Sequence, residues 1–509
     1  MLYVPFDEDY GLITIEAMMS SKPVITCTDS GGPNEFVVNG ETGFSVSPTP
    51  QSIAEHIDFL CTNVDAAMRM GVTAHEKVRT ITWGKVVEVL LGEPQGTSKS
   101  SNLLKNANSK PKITVATTFP IYPPQGGGQT RIFHLYKQLA KNYQIELITF
   151  TEHEQPPFHQ EIAPDLWEIR IPKSMAHQQS EKKISRQLDW IPVSDVVMPK
   201  LYKQSPEYLE ALGKSCKSSE ILIASHPYLT GALREISSKP LWYEAQDVEW
   251  ILKNTVLPDN ELGRQLLQDV REIESHTCSE AEVIIVCSKE DGESLVSLYG
   301  ASSDRIVVVP NGVDTNSVYF CDEKTRLENK KSLQLDGFNI TCFMGSWHPP
   351  NLEAIEILIN LALKCPEIVF FIIGSACGFF QTRSLPSNIK LLGILSEEEK
   401  NIVLGACDLA LNPMRSGSGT NLKMFDYFAA GIPVLTSPFG ARSLGIQDGT
   451  EAWVREIDDF HDSIKEIFTL NFRDRAAISR RARVLVESKF DWAVIADTFM
   501  NWLQQRSLI

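Results

Sequence analysis

Arg415 to Leu435 reads RSGSGTNLKMFDYFAAGIPVL, and its residue types and spacing suit a phosphate-bearing ligand. Gly417, Ser418, Gly419 and Thr420 make a Gly-rich turn, with Ser418 and Thr420 available as helix N-caps. The pattern predicts a helix from about Asn421 to Ala430, closed by Gly431 and Pro433. Ala406 to Asn412 reads as a buried strand before the turn, and Val434 and Leu435 open another after the helix. Such a turn gathers backbone N–H groups and the positive end of the helix dipole at one point, where an anion is stabilised. Lys423, two residues after Asn421, can reach the same anion. Asp426 follows at i+3 on the same face, where a carboxylate can accept two neighbouring sugar hydroxyls. Diphosphate at the helix tip with ribose beside the acid is the arrangement a sugar nucleotide requires. On spacing alone, the competing reading is an ordinary Gly-Ser-Gly turn and a weak surface Lys–Asp pair.

This stretch resembles the donor-binding signature of the retaining glycosyltransferases of family four, which have the GT-B fold. That signature runs Gly-rich loop, Lys on the helix, then an acid before Ala-Ala-Gly-x-Pro-Val. Two departures stand out: Asp426 replaces the commoner Glu, and Ser418 stands where an acid is often found eight residues earlier.

Length and composition bound the answer. A chain of 509 residues exceeds one core and implies two to four domains. Hydrophobic content of 43% and charged content of 22% are ordinary for a soluble globular protein. A net charge of -16 argues against nonspecific nucleic-acid binding. The ten Cys include no CxxC pair and no signal peptide is evident, so they read as reduced thiols of a cytoplasmic protein. No apolar run reaches the roughly 18 residues of a membrane span. The expected location is cytoplasmic, with peripheral contact to the inner face of the cell membrane left open.

Glu8 to Thr26, EDYGLITIEAMMSSKPVIT, matches the same signature in its more usual form, with Glu8 and Glu16 eight apart. It lies about 410 residues upstream of the first-described stretch, which reads as duplication of a large domain. A Gly31-Gly32 turn, a hairpin at Asn39-Gly40 and amphipathic helices around 52–63 and 83–91 follow. Residues 1–92 therefore read as a fragment of a donor lobe, from a truncated gene start or as a remnant of a tandem fusion, with no strand ahead of its signature and with Glu8 and Glu16 inert. Residues 93–111 are polar and aperiodic, a flexible linker.

A complete unit begins at Lys112. Ile113 to Phe119 reads as a strand, Gly126, Gly127 and Gly128 as a loop allowing close backbone approach, and 132–141 as a helix. Arg131 reads as a phosphate ligand or a solvated side chain. The segment 153–203 carries Lys173, Lys182, Lys183, Arg186, Lys200 and Lys203 among apolar residues; an anionic acceptor, a membrane surface or a solvated helix pair would each fit. The strand 221–225 ends at His226, and LWYEAQDVEW (241–250) is a strand with its outgoing loop. That loop resembles the family's tyrosine–acid–Ala–His–Asn–Val–Glu pattern, whose His contacts the transferred sugar. Gln246 occupies the His position and Asp247 the Asn position, while Glu249 is kept.

Val-Pro-Asn-Gly-Val-Asp (309–314) resembles the family's interdomain turn, and Gly345-Ser346, ahead of His-Pro-Pro-Asn, its loop against the donor phosphates. The resemblance implies two Rossmann-like doubly wound α/β lobes facing a cleft: an acceptor lobe at 112–320, a donor lobe at 321–489, and a helix at 490–509 crossing back. It implies transfer of a sugar from a nucleotide-diphosphate donor to a glycan, lipid or small-molecule acceptor with retention, as in polysaccharide biosynthesis. No metal or other cofactor is expected. Lys423, Gly345, Ser346, Asn421, Asp426 and the loops 126–128 and 417–420 would hold the donor; Gln246 or His226 would contact the sugar. The alternative is a catalytically impaired sugar-nucleotide-binding or scaffolding protein.

Overall fold

The computed structural model describes residues 1–79, 81, 110–417 and 420–508. Contacts divide the chain into two compact units, Met1–Ala107 and Asn108–Ile509.

The first unit holds a parallel pair, β1 (Val24–Cys27) and β2 (Gly43–Val46), with the helices Leu12–Met19, Pro50–Thr62 and Val64–Val78. A small apolar core joins Ile15, Met18, Val24, Phe36, Ala74 and Val78. Two expectations are corrected here. The chain start does supply strand-like pairing: Ile25 N–H donates to Met1 O (2.8 Å) and Tyr3 N–H to Ile25 O (2.9 Å), so residues 1–3 run beside β1. Asn39-Gly40 belongs to a turn rather than a hairpin, because the strands β1 and β2 are parallel and a two-residue turn cannot join them. Ser21, just past the first helix, takes the left-handed conformation at φ 55°, as Gly431 does at φ 73° past the helix Leu422–Ala429. The expected helix at 83–91 and residues 93–109 of the expected linker lie outside the described residues.

The second unit contains two sheets. In the first lobe the order is β10 (Ile306–Val308), β9 (Val283–Val286), β8 (Leu241–Ala245), β7 (Ile221–Ser225), β3 (Lys112–Thr117), β4 (Gln144–Thr151), β6 (Leu166–Pro172) and β5 (Phe158–Ala163). Only β5 is antiparallel to its neighbour. In the second lobe six parallel strands run β13 (Ile389–Gly393), β12 (Ile368–Ile373), β11 (Asn339–Met344), β14 (Leu409–Asn412), β15 (Val434–Thr436) and β16 (Trp453–Val454). Central strands such as β7, β9 and β12 are buried throughout, hence their unbroken apolar runs. In each lobe the strand order reverses beside the lobe's first strand, β3 or β11. Ligand loops leave the carboxyl ends of open α/β sheets at such switch points.

The helix Gly127–Leu139 starts earlier than the pattern implied, so Gly127 and Gly128 lie in its first turn. Its buried Ile132 and Leu135 share a core with Trp492, Ile495, Ala496, Phe499 and Leu503, one stripe of the helix Trp492–Gln505. That last helix follows the second lobe yet packs on the first. The two lobe crossings are tied together: Asp491 caps the helix through Ala493 N–H (2.8 Å) and accepts Thr315 N–H (3.0 Å) and Thr315 Oγ1–H (2.6 Å). The 153–203 segment offers no free cationic face at most of its basic residues. Lys173 is buried between Glu152 (2.9 Å) and Glu181 (2.7 Å), Lys203 pairs with Glu235 (2.9 Å), Lys200 with Asp269, and Lys182 lies 3.8 Å from Glu154.

Asp491→Ala should lower stability by about 2–3 kcal/mol, the loss of an N-cap plus a stranded buried donor. Asp491→Asn should recover about half of it. Urea midpoints check this; an unchanged midpoint in the Ala variant would show that the crossing does not depend on this carboxylate.

Candidate functional site

Every loop named above for the site leaves the carboxyl end of a strand. On the first lobe, the Gly126–Gly128 turn lies between β3 and its helix, His226 follows β7 and Gln246 follows β8. On the second lobe, Gly345 and Ser346 follow β11, and Gly417 and Thr420 lie between β14 and the helix Leu422–Ala429. The lobes meet there: a Cβ on Gly127 would stand 3.1 Å from Leu422 Cδ1.

The floor of the first-lobe half is a buried polar network. Arg131 Nε donates to Glu244 Oε1 (3.0 Å), and Arg131 Nη1 donates to Val309 O (2.8 Å) and Asn311 Oδ1 (3.1 Å). Glu244 also accepts from Tyr136 Oη–H (3.0 Å) and Ser225 Oγ–H (3.0 Å). Arg131 is therefore neither a phosphate ligand nor solvated; it is 1% exposed and consumed by the fold. Ser225 in turn accepts from Gln246 Nε2 (3.1 Å), which fixes the amide. The amide oxygen faces Gly128, where an added Cβ would meet Gln246 Oε1 at 2.8 Å. A side chain at position 128 would therefore displace the Gln246 amide of its own lobe, and none of the three glycines has positive φ.

His226 sits at φ 67°, a conformation L-residues rarely adopt, and its Nε2 lies 3.6 Å from Glu249 Oε1. Glu249 accepts from Tyr228 Oη–H (2.6 Å) and is 3.8 Å from Lys253, so the motif acid belongs to a buried cluster behind the imidazole. His226 and Gln246 end adjacent parallel strands, and His226 N–H donates to Glu244 O (3.1 Å).

In the second lobe, Lys423 Nζ donates to Asn351 Oδ1 (2.7 Å) and lies 4.3 Å from the centre of the Phe343 ring. Asn351 Nδ2 donates to Ser346 O (3.0 Å), so one amide joins the Gly-Ser loop to the lysine. Lys423 is 9% exposed, no carboxylate among the described residues pairs with it, and burial lowers its pKa to about 7. The helix N-cap is Asn421 rather than Ser418 or Thr420. Its side chain makes no capping bond and donates instead to Gly440 O (3.2 Å), so among the described residues the first-turn amides have no side-chain acceptor. Gly417, at φ 133°, turns the loop, and its carbonyl accepts from Arg442 Nη2 (3.0 Å). Ser418 and Gly419 lie outside the described residues.

Asp426 diverges from Lys423 toward Lys400 (3.6 Å), which also holds Glu397 (2.8 Å). Burial raises the Asp426 pKa, and Lys400 opposes the shift. Three residues escaped the sequence reading: Asn351, Lys400 and Arg442. Lys400 looks like a surface partner of Glu397 at i,i+3, and Arg442 lies in a loop without periodicity. Burial lowers the Arg442 pKa while Asp291 and Asp247 of the facing lobe raise it, so this guanidinium spans the cleft electrostatically. No cluster of metal-binding side chains occurs among the described residues, and no described helix is long and apolar enough to cross a membrane. All ten cysteines are unpaired, and only Cys61 is exposed.

Three family models match separate parts of the chain: Glycosyl transferases group 1 at residues 1–77, Glycosyltransferase Family 4 at 125–317, and Glycosyl transferases group 1 again at 339–470. D-inositol 3-phosphate glycosyltransferase of Mycobacterium leprae is 25% identical over 297 residues, which are 55% of this chain and 68% of that protein. Sucrose-phosphate synthase from Thermosynechococcus elongatus superposes with a TM-score of 0.61 at 15% identity, over 78% of this chain and 100% of the other. HepE of Anabaena, solved with UDP and glucose, superposes with a TM-score of 0.56 at 16% identity, over 77% and 99%. At such identities the structural likeness establishes the fold, two Rossmann-like lobes in the GT-B arrangement. Each lobe is separately matched by a glycosyltransferase family model, the first at residues 125–317 and the second at 339–470.

Proposed function

We propose that the second unit transfers a sugar from a nucleotide-diphosphate donor to a hydroxyl acceptor with retention of anomeric configuration. The observation that carries this reading is Lys423, a buried ammonium without a carboxylate partner among the described residues, in the first turn of a helix whose N-cap residue makes no capping bond. Burying such a cation is unfavourable until an anion joins it. A diphosphate between Lys423, the first-turn amides and the Gly345-Ser346 loop would supply that anion. The neighbour HepE was solved with UDP, which suggests the probe. Asp426 would take the ribose by sharing or displacing Lys400. The leaving diphosphate would be stabilised by fixed dipoles and the Lys423 charge, with the sugar held against Gln246 and His226. Glycan and lipid-linked acceptors remain the expected class.

A non-catalytic sugar-nucleotide-binding protein is the second reading, favoured by Gln246 in place of a His and by its engagement with Ser225. Hydrolysis or transfer from a panel of nucleotide sugars separates the two. Residues 1–92 fit, in the same proposal, a partial copy of the donor lobe without a site of its own: Glu16 is exposed, and Glu8 N–H and C=O are tied to Ser30 and Gly32.

The lysine makes a pH prediction. The unfolded chain holds that proton up to about 10.5, the folded chain to about 7, so Lys423 makes stability rise with pH across that window. UDP recruits the protonated amine; its affinity should therefore fall as pH rises from 7 to 9, by up to tenfold per unit. Calorimetry should find the slope absent in Lys423→Met, whose ligand-free form should unfold at higher urea. A parent affinity flat over that range would remove Lys423 from the anion site.

Gln246→Ala should lower turnover by about tenfold to a hundredfold, about 1.4–2.7 kcal/mol of barrier, with little change in UDP affinity. Gln246→His should be tolerated. Parent-like turnover in the Ala variant would shift the sugar contact to His226.

Deletion of residues 1–105, or the pair Glu8→Gln and Glu16→Gln, should leave turnover within twofold. A severalfold fall in steady-state rate with either protein would make the first unit part of the enzyme.

A further inference from the structure

A cavity of about 500 Å³ opens at the opposite edge of the second-lobe sheet. Asn339, Asp408 and Pro433 line it from the amino ends of β11, β14 and β15, whereas the cleft loops leave the carboxyl ends of the same strands. Its walls come from the helices Glu323–Ser332 and Phe472–Leu485 and from the turn at Gly431.

Two arginines line this space with donors unspent. Arg326 is 8% exposed; its Nη2 donates to Gly431 O (3.1 Å), but its buried Nε has no acceptor. The buried Nε of Arg475 has none either, and no ion pair forms on Arg475 among the described residues. Burial pushes the Arg326 pKa down, and the charge of Arg475 adds to that push against Asp408. Two of the three acids lining the cavity are already committed, and the third, Glu323, stands in the first turn of the helix Glu323–Ser332. Asp408 is taken by Lys330 (2.6 Å) and Ile340 N–H (2.8 Å), and Asp322 caps its helix through Thr325 N–H (2.9 Å). Two guanidiniums, each with a buried Nε that has no acceptor, line one space, and guanidinium geometry matches an oxyanion. The volume is that of a small-metabolite site rather than of a lone ion, and Phe320, Leu327 and Phe472 give it apolar wall.

We infer that this cavity binds a small phosphorylated metabolite, its phosphate held between Arg326 and Arg475, at a site separate from the cleft. The inference stands whether or not the transferase reading does.

The test is calorimetry on the full chain with ribose 5-phosphate, glucose 6-phosphate, ribose and inorganic phosphate. At least one ester should bind, more than tenfold tighter than inorganic phosphate, and ribose should not bind. Arg475→Gln, at a half-buried position, should weaken the ester about tenfold or more, the worth of one charge-assisted contact. Lys423→Met should change it less than twofold, and Arg475→Gln should keep UDP affinity, which reports an intact fold. The proposal is overturned if neither ester binds, if inorganic phosphate binds as tightly, or if ester binding is lost with Lys423→Met and kept with Arg475→Gln.

Discussion

The Arg131–Glu244 pair is the constraint on which the first-lobe half of the cleft depends. Both side chains are essentially inaccessible to water. An ion pair so placed stabilises little by itself, since desolvation offsets the Coulombic gain, yet removing one partner costs roughly 3–5 kcal/mol. Four neighbours contribute hydrogen bonds to the pair, Tyr136 and Ser225 on the carboxylate and Val309 and Asn311 on the guanidinium, while Arg131 Nη2 is buried without a partner. Those partners come from the first helix, β7 and the interdomain turn. One ion pair therefore sets the height of the helix carrying Gly127 and Gly128, and through Ser225 it sets the amide of Gln246.

The second lobe solves the opposite problem. Arg131 has its counter-charge built in, whereas among the described residues Lys423 has the neutral Asn351 amide, the Met414 thioether and the face of Phe343. A preorganised cation of this kind sacrifices stability for binding, and the gain is realised only when an anion arrives. Around it the cleft carries matched charge of other origin: Arg442 answers Asp247 and Asp291 from the facing lobe, and Lys400 answers Asp426 and Glu397. Asp247, which takes the place of the family's Asn, thus has an electrostatic counterpart in Arg442.

The helix Leu422–Ala429 connects the Lys423 cleft loop to the Gly431 turn that lines the cavity at Arg326. Lys423 stands in its first turn, and its end at Ala430 and Gly431 is held by Cys321 N–H (3.1 Å), Arg326 and, one residue earlier, Arg483 Nη1 (2.6 Å on Ala429 O). Arg483 also donates to Thr315 O (2.9 Å), so the helix end and the interlobe crossing share one side chain.

Alternation of apolar strands with Gly-rich turns and helices was enough to read two doubly wound lobes, because buried parallel strands need unbroken apolar runs and each turn has its own residue chemistry. Gly417 and Lys423 could be named from spacing, since those are local properties of one turn and one helix, while Gly345 and Gln246 were named through the family resemblance. What lay beyond local pattern was which polar side chain each residue meets. Arg131 follows a Gly-rich loop and reads as a ligand; only the packing of the helix against β8 turns it inward to Glu244, 113 residues on. Asn351 reads as a helix-start residue, and only the approach of β11 to the helix Leu422–Ala429 makes it the partner of Lys423. Arg442 and Asp247 are on different lobes, so their relation exists only once the cleft has formed. The chain sequence by itself determined the elements, the turn chemistry and the candidate residues for a phosphate site. Tertiary structure decided which of those charges were neutralised inside the fold and which stayed unpaired, because desolvation and counter-charge depend on neighbours that sequence distance does not reveal.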